Sequence, residues 1–139
     1  MHTENIMRNG FSLIELLMVL AMTSILAAIS YPNYRDYITR AHRTEGKTAL
    51  LDLACRMEDY YSKHQTYQTA TIGTGNKTDV LGQSLSETRQ YTLSIARATD
   101  ETYLLTATTR TLTQDVPCPE LTLNHSGAKG PGGGIVPCW

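Results

Sequence analysis

The chain has 139 residues, with 12 basic and 13 acidic side chains and a formal net charge of −1. This length suffices for one small globular domain of roughly 100 residues once a separate N-terminal segment is set aside. The near-neutral charge excludes the basic excess typical of proteins held to nucleic acid or anionic membranes by charge alone. Removing the first ten residues takes away Glu4 and Arg8 together, so the remainder keeps a net charge of −1.

The N-terminus combines a polar leader with a long apolar run. The run from Phe11 to Tyr31 has 21 residues and one charged side chain, Glu15. About 20 apolar residues suffice to cross a bilayer as a helix, and a carboxylate in such a helix is costly unless a partner neutralises it. A secretory signal peptide is cut after its apolar stretch. The expected cut here follows Gly10, before the stretch, and leaves the apolar helix on the mature chain.

The heptapeptide GFSLIEL, which begins at Gly10, resembles the prepilin signature of type IV pilins and of the pseudopilins of type II secretion. The resemblance implies that a prepilin peptidase cleaves after Gly10 and that the new amine of Phe11 is N-methylated. It also implies that Glu15 pairs with the amino terminus of a neighbouring subunit, and that Pro32 marks a bend or, in the fibre, a melted stretch of helix. The sequence departs from the family at Asn9, because a basic residue commonly precedes the glycine.

The helix is expected to continue past Pro32 as an amphipathic helix. Apolar residues recur there mostly at steps of three and four: Ile38, Ala41, Ala49, Leu50, Leu53, Ala54, Met57, Tyr60 and Tyr61. Gly46 weakens this pattern but does not end it. We predict one helix from Phe11 to about Lys63, about 80 Å long at 1.5 Å per residue. A domain of this size cannot bury so long a helix, so half of it needs partners outside the chain.

The remainder reads as a loop followed by strands. Residues 65–90 are rich in Thr, Gly and Ser and predict a loop with one helical turn near residues 79–85. Three strands with alternating apolar and polar residues follow, at residues 91–95, 103–108 and 121–123, the last closed by a turn at 124–127. The glycine-rich tail, residues 129–139, is predicted to be a loop held in place by another part of the chain.

The predicted fold class is therefore α+β. A long N-terminal helix, half transmembrane and half amphipathic, packs on a small antiparallel sheet, which is the type IV pilin fold that the resemblance implies. The predicted parts are a leader, a fibre-core helix, an amphipathic half-helix and a C-terminal domain, at residues 1–10, 11–31, 32–64 and 65–139.

The three cysteines are Cys55, Cys118 and Cys138, and an odd number leaves at least one unpaired within the chain. Cys118 and Cys138 bracket the third strand and the tail, and a disulfide-bounded loop at this place is what the pilin family implies. Cys55 is expected to be a small buried hydrophobe on the amphipathic helix. Pairing of Cys55 with either of the other two remains the alternative. The spacing does not suggest a zinc site.

No motif predicts catalysis or a cofactor. The four histidines have no partner at metal-ligand or catalytic spacing and are expected at the surface, and the glycine-rich tail lacks the features of a phosphate-binding loop. The chain is therefore predicted not to be an enzyme and to need no cofactor.

The predicted function is a structural subunit of a type IV pilus, most similar to PilE-type minor pilins. The expected partners are other pilin subunits, the prepilin peptidase, an inner-membrane assembly platform and, before assembly, membrane lipid. The C-terminal domain is expected in the periplasm before assembly and on the extracellular fibre afterwards.

Two alternatives remain open. One is a type II secretion pseudopilin, although no acidic calcium loop lies near the carboxyl end. The other is a minor pilin on the pilus that binds DNA or a surface. Only Arg97, Arg110 and Lys129 supply positive charge after Gln90, so direct binding of nucleic acid is not expected.

Overall fold

The computed structural model describes residues 10–111, 115, 117–130 and 138–139. The leader, apart from Gly10, and most of the glycine-rich tail therefore lie outside the described residues. The described chain divides into two compact units, one ending at Tyr37 and one comprising Ile38–Trp139.

Helix α1 spans Leu13–His64, 52 residues, and includes Pro32. Ser12 precedes it, and its carbonyl oxygen accepts bonds from the backbone N–H groups of Glu15 and Leu16 at 3.1 and 3.2 Å. The helix ends at a residue in the left-handed region, Gln65, with φ of 57°, and its N–H donates to the Tyr61 carbonyl at 2.8 Å. This is a common way to close a helix. The prediction of one helix ending near residue 63 is confirmed.

The second half of α1 buries one face. Its buried residues follow steps of three and four, as a helix packed on one side requires: Gly46, Leu50, Leu53, Met57 and Tyr60. These pack with the inward side chains of the sheet into one core, including Tyr91, Leu93, Leu105 and Leu121.

The strands form two sheets. Strands β1 (Thr71–Ile72) and β2 (Asp79–Leu81) make a short parallel pair. A four-stranded antiparallel sheet has the order β3-β4-β5-β6. Its strands are Tyr91–Ala98, Tyr103–Thr109, Glu120–Asn124 and Lys129–Gly130. The three predicted strands are present and slightly longer than expected, and the predicted α+β class, a long helix packed on an antiparallel sheet, is confirmed.

Three sequence predictions are wrong. The first two residues of the tail, which was predicted to be a loop, pair with β5 as strand β6. The helical turn near residues 79–85 is instead strand β2, followed by an isolated bridge from Leu85 to Thr92. Asp79 explains this, because its carboxylate accepts bonds from the backbone N–H groups of Thr74 and Gly75, at 2.9 and 2.7 Å, and closes a turn there. Cys55 is not buried but exposed, because its position on α1 points away from the face that covers the sheet.

Candidate functional site

The first unit presents apolar side chains along α1. Phe11 is 83% exposed and Ile25 is 63% exposed, and this part of the helix is long and apolar enough to cross a membrane, with a mean hydropathy of 2.2 in its best window. The hydroxyls of Thr23 and Ser24 donate to carbonyl groups of the preceding turn, at 2.8 to 3.0 Å. Polar groups satisfied within the helix suit an apolar environment.

Glu15 lies on this apolar surface one turn after Phe11. Both line a shallow concavity of about 240 Å³ together with Leu16 and Val19. The helix therefore offers an acceptor for a cationic group on a surface that would be covered in an assembly. Further along, Pro32 provides no N–H, and the side chain of Asn33 donates to the Ile29 carbonyl at 3.3 Å.

In the second unit, a carboxylate on α1 holds the end of the loop formed by residues 65–90. Glu45 accepts a bond from the backbone N–H of Thr88 at 2.9 Å and another from its hydroxyl. Partial burial alone would raise the pKa of Glu45, but hydrogen bonds from Ser86 and Thr88 and the proximity of His42 hold it below its ordinary value. The loop is further tied because the backbone N–H of Tyr91 donates to the Ser86 hydroxyl at 3.0 Å.

This fixed loop presents a pair of arginines, named here the cationic edge: Arg89 and Arg110. Arg89 has φ of 62°, an unusual conformation for a residue with a long side chain. Its carbonyl accepts a bond from Arg110 Nη1 at 3.3 Å, and the Arg110 N–H donates to the Gln90 carbonyl at 3.0 Å. Both residues are exposed. Within the described ranges, neither guanidinium forms an ion pair with a carboxylate.

Counting charges along the sequence missed this pair. The count began after Gln90, so it separated Arg110 from Arg89, which the sheet brings together. The signal that could have found it is the return of strand β4 alongside β3, because Tyr91 pairs with Thr109. Arg110 follows Thr109 and Arg89 lies two residues before Tyr91, so the two arginines meet at one end of the sheet.

A buried ion pair connects α1 to the segment that follows β4. Arg43 donates to both carboxylate oxygens of Asp115, with an Nη2 to Oδ1 distance of 2.7 Å. The side chains are only 11% and 2% exposed. The hydroxyl of Tyr91 lies buried with no hydrogen-bond partner among the described residues, and burial raises the pKa of Tyr91 to about 12.

At the other end of α1, Glu58 joins two tyrosines. Its carboxylate accepts bonds from the hydroxyls of Tyr67 and Tyr103 at 2.9 and 3.0 Å. The two rings meet edge to face at 4.9 Å. Burial and the bond to Glu58 raise the pKa of Tyr67 to about 12, and the same causes raise the pKa of Tyr103. This network fixes the helix end to the sheet.

The disulfide predicted for the tail is present. Cys118 and Cys138 are joined with a Cα–Cα distance of 5.7 Å across 20 positions of sequence, and both are buried. The next residue, Trp139, donates from Nε1 to the Gly130 carbonyl at 2.8 Å. Lys129 Nζ lies 5.1 Å from the centroid of the indole. No group of three or more metal-ligating side chains occurs in the part of the chain that the structure describes.

Comparison with known proteins gives two family matches. Residues 6–31 match the model described as "Prokaryotic N-terminal methylation motif", and residues 32–122 match the model described as "Type IV minor pilin ComP, DNA uptake sequence receptor".

The individual proteins that the chain resembles include pilins and fimbrial proteins. The chain is 33% identical over 81 residues to a fimbrial protein of Neisseria meningitidis, covering 57% of this chain and 48% of that protein. It is 30% identical over 87 residues to a type IV major pilin protein PilE of Neisseria gonorrhoeae, covering 61% of this chain and 52% of that one. The chain thus aligns over about half the length of these curated relatives.

A solved structure shares the fold. It is the non-core minor pilin PilV of Neisseria meningitidis, which is 22% identical, with a TM-score of 0.54 over 73% of this chain and 94% of that chain.

The fold and the N-terminal segment define a type IV pilin. Within this class, the chain belongs to the family of the type IV minor pilin ComP, DNA uptake sequence receptor, whose model covers most of the sequence beyond the apolar run. Pilins are structural proteins and are generally not enzymes.

Proposed function

We propose that this protein is a minor subunit of a type IV pilus that assembles through the first half of α1. The observation that supports this proposal most directly is the apolar surface of the first half of α1. This surface is exposed in the single chain, and Glu15 lies on it one turn from Phe11. Many copies packed side by side would remove this surface from water, which favours assembly.

Processing prepares the chain for assembly in this proposal. The prepilin peptidase cuts after Gly10 and the amine of Phe11 is N-methylated. In a staggered fibre this cationic amine pairs with Glu15 of a neighbouring subunit, because two charges that pair away from water avoid the cost of one left alone. Pro32 marks a bend or, in the assembled fibre, a melted stretch of the helix. Before assembly the apolar half anchors the subunit in the inner membrane, with the C-terminal domain in the periplasm and an assembly platform as partner.

The test is fibre incorporation in competition with the wild-type chain. Glu15→Ala should leave membrane insertion and the second unit unchanged but lower incorporation at least about tenfold, because the amine of a neighbour is left unpaired. Thr23→Ala is the matched control, since it changes an exposed residue of the same apolar segment. Equal incorporation of Glu15→Ala and wild type would contradict the charge pair.

We further propose that the second unit binds double-stranded DNA, the alternative that the charge count alone disfavoured. The match to a family described as a DNA uptake sequence receptor supports this function, and the cationic edge supplies the observation in this chain. Arg89 and Arg110 are exposed, adjacent and without carboxylate partners among the described residues, and guanidinium groups suit contacts to phosphate oxygens.

The DNA test uses the full-length chain in detergent micelles and a labelled 20-base-pair duplex of mixed sequence. The double variant Arg89→Gln/Arg110→Gln should weaken binding about tenfold or more and reduce the slope of log affinity against log salt by about two, since each phosphate contact contributes about 0.9. Arg56→Gln is the matched control, because Arg56 is already paired with Asp52 at 2.8 Å. Binding that is unchanged in the double variant would contradict the assignment.

A further inference from the structure

A groove lies between α1 and the loop of residues 65–90 and is named here the acidic groove. It has a volume of about 570 Å³, which is within the range of concave binding sites. Three leucines and three carboxylates contribute to its lining: Leu81, Leu85, Leu93, Glu45, Asp52 and Glu87. The groove therefore offers an apolar surface next to negative charge.

The three carboxylates differ in how far they are engaged within the chain. Glu45 holds the loop through its bonds from Thr88. Asp52 is paired with Arg56 at 2.8 Å, although its side chain remains 57% exposed. Glu87 is exposed and forms no ion pair within the described ranges. Glu87 is thus the carboxylate most available to a cationic group from outside the chain.

A second patch on α1, named here the basic ridge, has the complementary character: Arg40, Lys47 and Leu51. Leu51 is 48% exposed, and among the described residues of the second unit no other large apolar side chain is exposed. Lys47 precedes Leu51 by one turn and Arg40 precedes Lys47 by two turns, so the three lie on one face of the helix. Neither cation forms an ion pair in the part of the chain that the structure describes.

The basic ridge and the acidic groove face in different directions from the same helix. Asp52 lines the groove and directly follows Leu51, and consecutive residues of an α-helix point about 100° apart. The ridge of a chain therefore does not fill its own groove. A contact between the ridge of one copy and the groove of the next is head-to-tail, which leaves a free ridge and a free groove for further copies.

We propose that the basic ridge of one copy of this chain docks in the acidic groove of a second copy, with Leu51 against the leucines and Lys47 beside Glu87. Charge complementarity supports this choice of occupant, because the ridge joins an exposed apolar side chain to two cations and the groove joins an apolar lining to carboxylates. The contact belongs to the second unit alone and is separate from assembly through the apolar half of α1.

Cross-linking between two differently tagged full-length chains in detergent micelles tests the contact. The first chain is unaltered and carries the exposed thiol of Cys55, one turn after Leu51. The second carries Cys55→Ser and Glu87→Cys, so a disulfide between the two tags joins the ridge side of one copy to the groove of another. Mild oxidation should link the two tags.

The matched control for cross-linking is a second chain with Cys55→Ser and Glu101→Cys, because Glu101 is also an exposed glutamate but lies between β3 and β4. Its yield should be at least about tenfold lower, since a disulfide requires Cα atoms within about 7 Å of each other. Equal yields from Glu87→Cys and Glu101→Cys would overturn the proposal.

Charge reversal tests the pairing itself, with association of the full-length chain in micelles measured by sedimentation. Lys47→Glu and Glu87→Lys should each weaken association about tenfold, because like charges then face each other. The double variant carries both reversals in every copy and should return to within about threefold of wild type. Lys77→Glu reverses an exposed lysine outside both patches and should stay within about twofold.

Several outcomes would overturn the pairing. A double variant that associates more weakly than both single variants would show that Lys47 and Glu87 do not face each other. Association that neither Lys47→Glu nor Glu87→Lys weakens would leave the groove to a different occupant.

Glu15→Ala separates this contact from the proposed fibre assembly, because it should leave the cross-linking yield unchanged. A wild-type chain that enters fibres but gives no cross-link between ridge and groove would overturn this inference and leave the assembly proposal standing. A specific cross-link together with full fibre incorporation of Glu15→Ala would contradict the charge pair at Glu15 and leave this inference standing.

Discussion

Gly46 shows how a single residue sets the distance between helix and sheet. A Cβ placed on it would lie 3.1 Å from Leu121 Cδ1 and 3.1 Å from two ring atoms of Tyr91. Such distances are shorter than ordinary contacts between carbon atoms. Glycine therefore stands in the middle of α1 because the sheet approaches the helix backbone there, and its unfavourable helix propensity is offset by this packing.

We predict that Gly46→Ala destabilises the second unit by about 1 kcal/mol. Overpacking a close contact costs about 1–3 kcal/mol, while replacing glycine by alanine in a helix contributes about 1 kcal/mol in the other direction. Urea unfolding in micelles, followed by Trp139 fluorescence, measures the difference. Thr48→Ala on the exposed face of α1 is the control and should change stability by less than about 0.5 kcal/mol. A Gly46→Ala variant more stable than wild type would contradict the close approach.

Single residues are also where sequence reasoning was least complete. Glu15 and Gly10 stand out because a fixed motif contains them. Gly46 reads only as a weak point in a helix, because the approach of Tyr91 from 45 positions away has no local signal. Cys55 is expected in the core because its sequence neighbours are apolar, but its position on α1 lies on the side of the helix that faces away from the sheet, and the thiol is exposed. Arg89 was missed because charge was counted along the chain and not across the sheet.

At the scale of elements, helix α1 and the segment after β4 depend on the pair of Arg43 and Asp115. Both side chains are almost inaccessible to water. A buried ion pair contributes little net stability compared with a well-packed apolar pair, but loss of one partner leaves an uncompensated charge in the interior.

We predict that Asp115→Asn lowers the free energy of unfolding by about 3–5 kcal/mol, the range for breaking a buried pair. The double variant Arg43→Met/Asp115→Leu should lose less than Asp115→Asn, because no buried charge remains. Urea unfolding of each variant gives the comparison. A double variant that is the least stable of the set would show that the bidentate contact, and not the lone charge, dominates.

The disulfide between Cys118 and Cys138 joins the tail to the segment that precedes β5. Loop closure across 20 positions should stabilise the folded state by about 3 kcal/mol in the loop-entropy model. Cys118→Ser/Cys138→Ser should therefore lose about this amount, measured by unfolding under non-reducing conditions. Cys55→Ser is the matched control and should be near neutral, since this thiol is exposed. A large loss in Cys55→Ser, or a peptide map that links Cys55 to either other cysteine, would contradict the assignment.

Most elements could be predicted from the sequence. The helix followed from apolar spacing, and the strands at Tyr91, Tyr103 and Leu121 followed from alternation. The loop of residues 65–90 could not be predicted in the same way, because Asp79 and Glu45 organise it through hydrogen bonds to backbone N–H groups. Such bonds depend on the three-dimensional path of the loop. They leave no periodic pattern of apolar residues in the sequence from which the loop could be predicted.

At the scale of the whole molecule, the two units differ in whether their apolar side chains are buried within the chain itself. The second contains its own core, whereas the described apolar residues of the first are exposed in the single chain. The family match and the N-terminal methylation motif assign both to one kind of protein. The class of protein could be predicted from a short motif near the N-terminus, whereas the surface of the second unit depends on how the strands bring distant residues together.

We predict that the mature protein begins at N-methylated Phe11. Intact-mass analysis of membrane or fibre protein should show the loss of residues 1–10 and the addition of one methyl group. A Gly10→Leu variant should retain its full mass, and Asn9→Ala serves as the neighbouring control that should still be cut. Assembled subunits that keep Met1 would contradict the prepilin assignment.

The bonds from Thr88 to Glu45 have a mechanical consequence. Arg89 follows Thr88 directly, so a force applied to the side chain of Arg89 acts first on a backbone segment that is hydrogen-bonded to α1. The load passes into the helix through two hydrogen bonds to one carboxylate and need not cross the strands of the sheet.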